Sequence, residues 1–281
     1  MRYWVIFLFL LVALTVKSQS LTVMTYNIRC GHCDDQNSNN WESRKELVLS
    51  VIEQHHPDIV GLQEVVPVQL DYLRSHLPGY SCYGTGRNAD GTDEGCYIFY
   101  KKSVLAIDST HSGTKWYSST PDVPGSNDLG DLYRRIVTFA RFKTVATGRY
   151  FYHFNTHLTY LDTLQVRYVD FLSAQIKNRA IEDNPFILTG DFNANESSPA
   201  IHRLKENFAS EKLVDTYREI YPDGAISTFN SFTGKTDEGK IDYIFVEAEL
   251  FRVIQAGCDT TNQNGKYPSD HYPINAVIRL K

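Results

Sequence analysis

Pro185-Phe186-Ile187-Leu188-Thr189 hands directly over to Gly190-Asp191-Phe192-Asn193. The first five residues form an apolar run of strand length, and the four that follow make a turn carrying a carboxylate and an amide. The same arrangement recurs along the chain: one apolar strand delivers Asn27, another Glu64 in Gln63-Glu64, and a third His157 in Asn155-Thr156-His157. Strands hold such side chains rigidly while the loops beyond leave room for a ligand, so sheet architectures build sites there.

Outward from these strand ends, apolar and alternating stretches predict strands over 21–29, 58–62, 81–85, 96–101, 104–110, 135–142, 149–155, 185–189, 240–246 and 271–280. Helical spacing predicts a helix over 41–54, with Leu47, Val48, Val51 and Ile52 on one face, and another around Leu70, Leu73 and Leu77. A third carries Leu161, Leu164, Tyr168, Leu172 and Ile176, and a short one lies near 199–205. No repeat or interdomain linker interrupts this alternation, so residues 19–281 are expected to form one domain. The longest irregular segment, 112–133, is either a surface excursion or a lip that shapes a site.

The 281 residues are 42% hydrophobic and 22% charged, the balance of a globular protein with one sizeable core. Residues 1–18 stand apart: Arg2, an apolar run from Val5 to Val16 and a small residue at Ser18 read as a removed signal peptide, too short to span a bilayer comfortably. The chain is therefore expected to be secreted or periplasmic, without a stable membrane anchor. Removing Arg2 and Lys17 from 28 basic residues leaves 26 against 33 acidic ones, a formal charge of −7. That balance argues against broad, salt-driven adhesion to nucleic acid, though a local groove can still be basic. Five cysteines, Cys30, Cys33, Cys82, Cys96 and Cys258, leave at least one without a partner in the chain. Cys30-Gly31-His32-Cys33 has thiol–disulfide spacing but enters a polar loop instead of opening a helix. A local disulfide, or plain loop residues, therefore compete with a redox role, and no second pair stands at zinc-ligand spacing.

Lys240-Ile241-Asp242-Tyr243 and Ser269-Asp270-His271 complete a set of imidazoles, carboxylates and amides suited to metal-assisted hydrolysis of a phosphate ester. Oxygen ligands suit a hard ion such as Mg²⁺ or Mn²⁺. Glu64 is the expected ligand, with Asn27 and Asp270 beside it or its waters. His271 is the candidate base, because an imidazole titrates near neutral pH, and Asp242 is the carboxylate that orients it. Asp191 and Asn193 are assigned to the attacking water and the phosphate, and His157 to a phosphoryl or leaving-group oxygen. Each residue taken singly has an ordinary structural reading, as cap, turn or core group; their joint occurrence at strand ends carries the inference.

Taken together, Thr25-Tyr26-Asn27-Ile28-Arg29, Gln63-Glu64-Val65, Asn155-Thr156-His157-Leu158, Gly190-Asp191-Phe192-Asn193, Ile241-Asp242-Tyr243-Ile244 and Ser269-Asp270-His271-Tyr272-Pro273 resemble the endonuclease/exonuclease/phosphatase superfamily. DNase I, apurinic endonucleases, sphingomyelinases, inositol-polyphosphate 5-phosphatases and deadenylases belong to it. The resemblance implies an α+β fold, a four-layer αββα sandwich of two central mixed β-sheets packed face to face with helices outside, and a divalent-metal phosphoesterase site at one edge. It also implies that Glu94 partners His157, against the alternative of an exposed hairpin acid. Residues 94–101, 116–126 and 134–142 resemble exported bacterial members. There Arg135 is a candidate for reaching a substrate phosphate, or a solvated strand-start arginine, and Trp116 with Tyr117 for a stacking face.

The expected substrate is a phosphate ester of a sugar, inositol, lipid or nucleic acid, monoester or diester, with no obligate protein partner evident. A nuclease would gather Arg29, Arg44, Arg87 and Arg135 into a basic groove. A non-catalytic phospho-ligand module on the same fold is the alternative of a different class, disfavoured by the intact set His157, Asp191, Asp242 and His271.

Overall fold

The computed structural model describes residues 19–33 and 38–281; the expected signal segment lies outside the described residues. In chain order the elements are β1 (Ser20–Asn27), α1 (Trp41–His55), β2 (Ile59–Val65), α2 (Pro67–His76), β3 (Tyr80–Tyr83), β4 (Gly95–Lys101), β5 (Leu105–Trp116), β6 (Ile136–Thr144) and β7 (Tyr150–His157). There follow α3 (Asp162–Lys177), β8 (Phe186–Asp191), α4 (Pro199–Asn207), β9 (Leu213–Asp215), α5 (Thr216–Ile220), β10 (Asp242–Glu247), β11 (Phe251–Cys258) and β12 (Ile274–Leu280). None of the described helices is long and apolar enough to cross a membrane.

Two six-stranded mixed sheets result, in the orders β11-β12-β1-β2-β4-β3 and β5-β6-β7-β8-β10-β9. Each contains one parallel pair, β1 with β2 and β7 with β8. Parallel neighbours need a crossover, supplied by α1 in the first sheet and α3 in the second. In register, Asn27 faces Gln63 at the end of the first pair and His157 faces Asp191 at the end of the second. Each sheet thus delivers its polar residues from one parallel pair.

Three apolar clusters show the layering. Trp41, Val48 and Ile52 of α1 and Leu70 and Leu73 of α2 pack with Met24, Tyr26, Val60 and Leu62 of the first sheet. Leu21, Val23 and Ile59 meet Phe142, Phe151, Ile187 and Ile244 between the sheets. Tyr168, Leu172 and Ile176 of α3 and Ile201 and Leu204 of α4 cover Tyr152, Phe154, Leu188 and Phe245 on the far side of the second. Three interlayer spaces make four layers, the expected αββα sandwich. Burial of a large aliphatic or aromatic side chain in such a space contributes about 1.5–3 kcal/mol.

Several elements differ from expectation. β5 runs to Trp116, across a register shift between Asp108 and Gly113, and so takes in the first part of the 112–133 segment. β9 and α5 are too short to leave a periodic signal, and β11 is an edge strand whose alternation is broken by a shift between Val253 and Gln255. β12 begins at Ile274, leaving Ser269-Asp270-His271 in the loop that enters it.

Candidate active site

Asn27, the last residue of β1, accepts a hydrogen bond on Oδ1 from the Arg29 N–H at 2.9 Å, which turns its Nδ2 into the cleft. That nitrogen donates to Glu64 Oε1 and to Asp191 Oδ2, each at 2.9 Å, and lies 3.5 Å from His271 Nε2. One amide from the first sheet therefore ties together Glu64, Asp191 of the second sheet and His271. Asn27 thus lies against Glu64, with its oxygen accepting one backbone N–H and its nitrogen set between the carboxylates.

Glu64 lies where the β2–β4 ladder breaks between Leu62 and Val65, and it adopts a left-handed φ of 61°. A non-glycine residue reaches that region only when its surroundings hold it. The Cys30 N–H on Glu64 Oε2 at 2.9 Å and the Asn27 amide do so. Burial alone would raise its carboxyl, but the Asn27 hydrogen bond, Arg29, His271 and the Cys30 N–H outweigh it and hold the pKa below the ordinary value. The loop that provides Cys30 is closed by a Cys30–Cys33 disulfide, while Cys82, Cys96 and Cys258 are free thiols.

Below Glu64 the two sheets are joined by a polar clamp. Asn155 Nδ2 donates to the carbonyls of Leu62 and Tyr97 at 2.9 and 3.1 Å, and its Oδ1 accepts from Gln63 Nε2 at 2.7 Å and Thr189 Oγ1 at 3.1 Å. His153, Asn155 and His157 alternate along β7, so all three face the first sheet.

On the second sheet, Asp191 Oδ1 accepts from the Asn193 N–H at 2.9 Å, with Asn193 in the left-handed region at φ 48°. Asn193 Nδ2 then reaches Leu158 O and His157 Nε2, each at 3.0 Å. His271 Nδ1 lies 2.9 Å from Asp242 Oδ2, so the carboxylate orients the ring as the spacing implied. Thr228 Oγ1 accepts from the Ile241 and Asp242 N–H groups and fixes the start of β10. Burial opposes a charge on His271, but Asp242 and Asp191 outweigh it and hold its pKa well above the usual imidazole value. Burial, reinforced by Arg135, His271 and Arg87, pushes His157 well below it. The two imidazoles are thus pushed in opposite directions. Asp191 is raised, first by burial and then by Asp242.

Ligand atoms of Glu64, His157 and Asp191 all lie within 4.8 Å of one another, as do those of Asp191, Asp242 and His271. Buried carboxylates this crowded, with Asp242 Oδ1 lacking any hydrogen-bond partner, form an oxygen-rich donor set that fits a hard divalent cation. Asp270 belongs to neither group but lines the same cleft, with its carboxylate 3.6 Å from Arg29 Nη1. Glu94 is held by Arg87 in a two-pronged pair at 2.8 and 3.0 Å, and the hydrogen bonds of the His157 ring go elsewhere. It lines the cleft beside His157 without being its partner. Trp116 is buried against Cys96 and Ile136, donating from Nε1 to Arg87 O at 2.7 Å, and Tyr117 stacks on Tyr168 in the core. Neither offers a stacking face. The aromatic side chains that line the cleft are instead Tyr133, Tyr160, Phe229 and Phe232, which the sequence did not single out. The Phe229 ring meets His271 edge-on at 5.1 Å. Arg29, Arg87 and Arg135 line the same cleft, of about 880 Å³, whereas Arg44 is buried and donates to the carbonyls of Ile28, Arg29 and Pro268.

Two sheets that converge their parallel pairs on a carboxylate–imidazole cluster define a phosphoester hydrolase. Residues 24–271 match the Endonuclease/Exonuclease/phosphatase family, and the chain belongs to it. A family structure from Bacteroides vulgatus is 30% identical, with a TM-score of 0.83 over 94% of this chain and 100% of its own. A mannosyl-6-phosphatase from Bacteroides thetaiotaomicron VPI-5482 is 30% identical, with a TM-score of 0.80 over 92% of this chain and 99% of its own. The CCR4-Not complex 3'-5'-exoribonuclease subunit Ccr4 of Aspergillus niger is 22% identical over 94% of this chain, which spans 52% of that protein.

Proposed function

We propose that the chain is an exported, Mg²⁺- or Mn²⁺-dependent enzyme that hydrolyses the phosphate ester of a small polar molecule. The observation that carries this reading is the linked set Glu64–Asn27–Asp191 with His271–Asp242. Glu64 and Asp191 would hold the divalent cation, which when bound would supply positive charge to the phosphoryl oxygens and relieve the crowding of the carboxylates. Asp242 holds the His271 ring through Nδ1, leaving Nε2 toward Asn27 and Asp191; a cation that neutralised Asp191 would remove part of the charge that favours the imidazolium, and the ring would then take the proton of the attacking water. Asn193 Nδ2 holds the His157 ring at Nε2, so that His157 faces a phosphoryl or leaving-group oxygen in the cleft. Hydrolysis forms the bond from water oxygen to phosphorus and breaks the ester P–O bond, and the leaving oxygen takes up a proton.

A cleft of about 880 Å³ matches the span of small-molecule sites. The relative named as a mannosyl-6-phosphatase supports a sugar phosphate as substrate. Export is supported by the apolar run of residues 5–16 and by the Cys30–Cys33 disulfide, a bond that persists in oxidising compartments. The test is a panel of sugar phosphates, inositol phosphates, sphingomyelin, RNA and DNA, assayed with Mg²⁺ or Mn²⁺ and after chelation. Turnover of a sugar or inositol phosphate that chelation abolishes, and that Glu64→Gln and His271→Ala remove, is expected. Preferred turnover of RNA would replace the small-molecule reading with the exoribonuclease activity named for Ccr4, and no turnover with either ion would overturn the enzyme.

A further inference from the structure

Of the three arginines that line the cleft, two lean on carboxylates. Arg87 is committed to Glu94 and Asp93, and Arg29 faces Asp270. Arg135 has a carboxylate nearby as well, Asp131 Oδ2 at 3.8 Å from Nε, an ion pair too long for a hydrogen bond. What sets it apart is burial: it is 6% exposed, and its Nε and Nη1 are buried without a hydrogen-bond partner among the described residues. A buried donor left unmade costs about 1–3 kcal/mol, more when charged, so a guanidinium held in this state calls for an anion that it meets only when the site is filled. Arg135 shares the cleft wall with His157, Glu64 and Glu94.

Beside those same residues the cleft narrows. The space lined by Arg135, Arg134, Arg87, Glu94, Cys96, Ile136 and His157 is about 10 Å³, room for a single water. The floor beneath is the packed cluster of Cys96, Trp116 and Ile136. The opposite end is open, with Tyr133 and Tyr160 at 47% and 46% exposure on its rim. A phosphoryl group seated between His157 and Arg135 has the wide end of the cleft for its ester substituent, while the side toward Cys96 and Ile136 has room for little more than a water.

We propose that Arg135 reads the non-bridging oxygens of a terminal phosphate, so that the site selects phosphomonoesters over phosphodiesters. This rests on the phosphoester-hydrolase reading above. A monoester dianion has the additional charge that the guanidinium fork matches, whereas a diester has one charge and a second substituent that the narrow side of the cleft does not accommodate.

The test compares kcat/KM for p-nitrophenyl phosphate and bis(p-nitrophenyl) phosphate, with inhibition by inorganic phosphate, in the wild type, Arg135→Gln, Arg135→Lys and the remote charge control Arg252→Gln. The wild type is expected to favour the monoester. Arg135→Gln should lose about 10- to 100-fold on the monoester, change little on the diester and weaken phosphate inhibition at least about tenfold, with Arg135→Lys intermediate and Arg252→Gln unchanged. Equal losses on both substrates, or unaltered phosphate inhibition, overturn the inference while the hydrolase reading stands. A wild type inert toward both esters with Mg²⁺ and Mn²⁺ overturns the two together. Should Arg135→Gln not fold, Arg135→Lys decides, because it keeps the charge and loses only the fork.

Discussion

Replacing Asn155 by leucine tests whether the clamp between the sheets positions the site. Its side chain makes four hydrogen bonds, to Leu62 O, Tyr97 O, Gln63 Nε2 and Thr189 Oγ1, all in a fully buried setting. At about 1 kcal/mol each, Asn155→Leu forfeits about 4 kcal/mol. The carbonyls of Leu62 and Tyr97 also lose this donor, which adds to the cost, while the apolar gain of leucine offsets roughly 1 kcal/mol of it. For a domain of this size about 4 kcal/mol lowers Tm by roughly 8–16 °C. Leu62 lies two residues before Glu64, at the break in the ladder, so loosening the clamp should also weaken divalent-ion affinity, by about 10- to 100-fold as for other groups that orient metal ligands. Thermal unfolding followed by circular dichroism, with Mn²⁺ titration of the folded variant at low temperature, reads the two effects separately. A Tm within about 3 °C of the wild type would refute the energetic reasoning. A large Tm loss with unchanged Mn²⁺ affinity would refute the claim that Asn155 positions Glu64.

Four further substitutions follow. Lys240→Met breaks a fully buried pair with Asp215 at 2.6 Å and should destabilise by about 3–5 kcal/mol in denaturant titrations, with Lys240→Met/Asp215→Leu recovering part of the loss; equal stability of the single variant and the wild type would contradict it. Gly61→Ala places a Cβ 2.2 Å from Thr189 Oγ1 and 2.4 Å from Asn155 Oδ1, so it should cost at least about 1–3 kcal/mol and yield little soluble protein, measured by expression and Tm. Asp242→Asn should lower kcat by about 10²- to 10⁴-fold with Tm little changed, and a smaller loss would remove Asp242 from its orienting role. His153 is buried, and burial depresses its pKa to about 3 from 6.5. Its contribution is complete above pH 6.5 and is lost as pH falls toward about 3, amounting to about 5 kcal/mol, of which roughly 3 kcal/mol is gone at pH 4. His153→Gln should flatten the stability profile between pH 7 and 4, and an unchanged slope would refute the assignment.

What could be read from the sequence follows from which interactions are local. Strands such as Phe186–Asp191 lie buried on both faces, so composition alone marks them, and the polar residue ending each is conspicuous by contrast. The pairing of Asp242 with His271 and the convergence of Glu64 with Asp191 were implied by residue types at strand ends. The turning of Asn27 was not, because it depends on which backbone N–H meets its oxygen, here that of Arg29 in the left-handed region at φ 56°. Glu94 was paired with the wrong residue for a related reason: Arg87, seven residues before it, claims its carboxylate in the fold. Trp116 looked like a loop aromatic until β5 proved to extend to it. The aromatics that do line the cleft sit in loops without periodicity, where no pattern marks them.

The left-handed residues Arg29, Glu64 and Asn193 all flank the ligand cluster, and none is glycine. Each such conformation costs on the order of 1–3 kcal/mol and persists only where neighbours over-determine it. Here those neighbours come from each residue's own sheet: Cys30 and Asn27 on Glu64, Asp191 and His157 on Asn193. What crosses between the sheets is the Asn27 amide, which reaches Asp191 as well as Glu64, and the Asn155 clamp beneath it. The face-to-face packing of two parallel pairs therefore does more than enclose a core, since it sets two separately strained sites at a distance that a few side-chain hydrogen bonds fix. Separating the sheets by even a side chain's width, as at Gly61, should break those crossing bonds and scatter the carboxylates before the core itself melts.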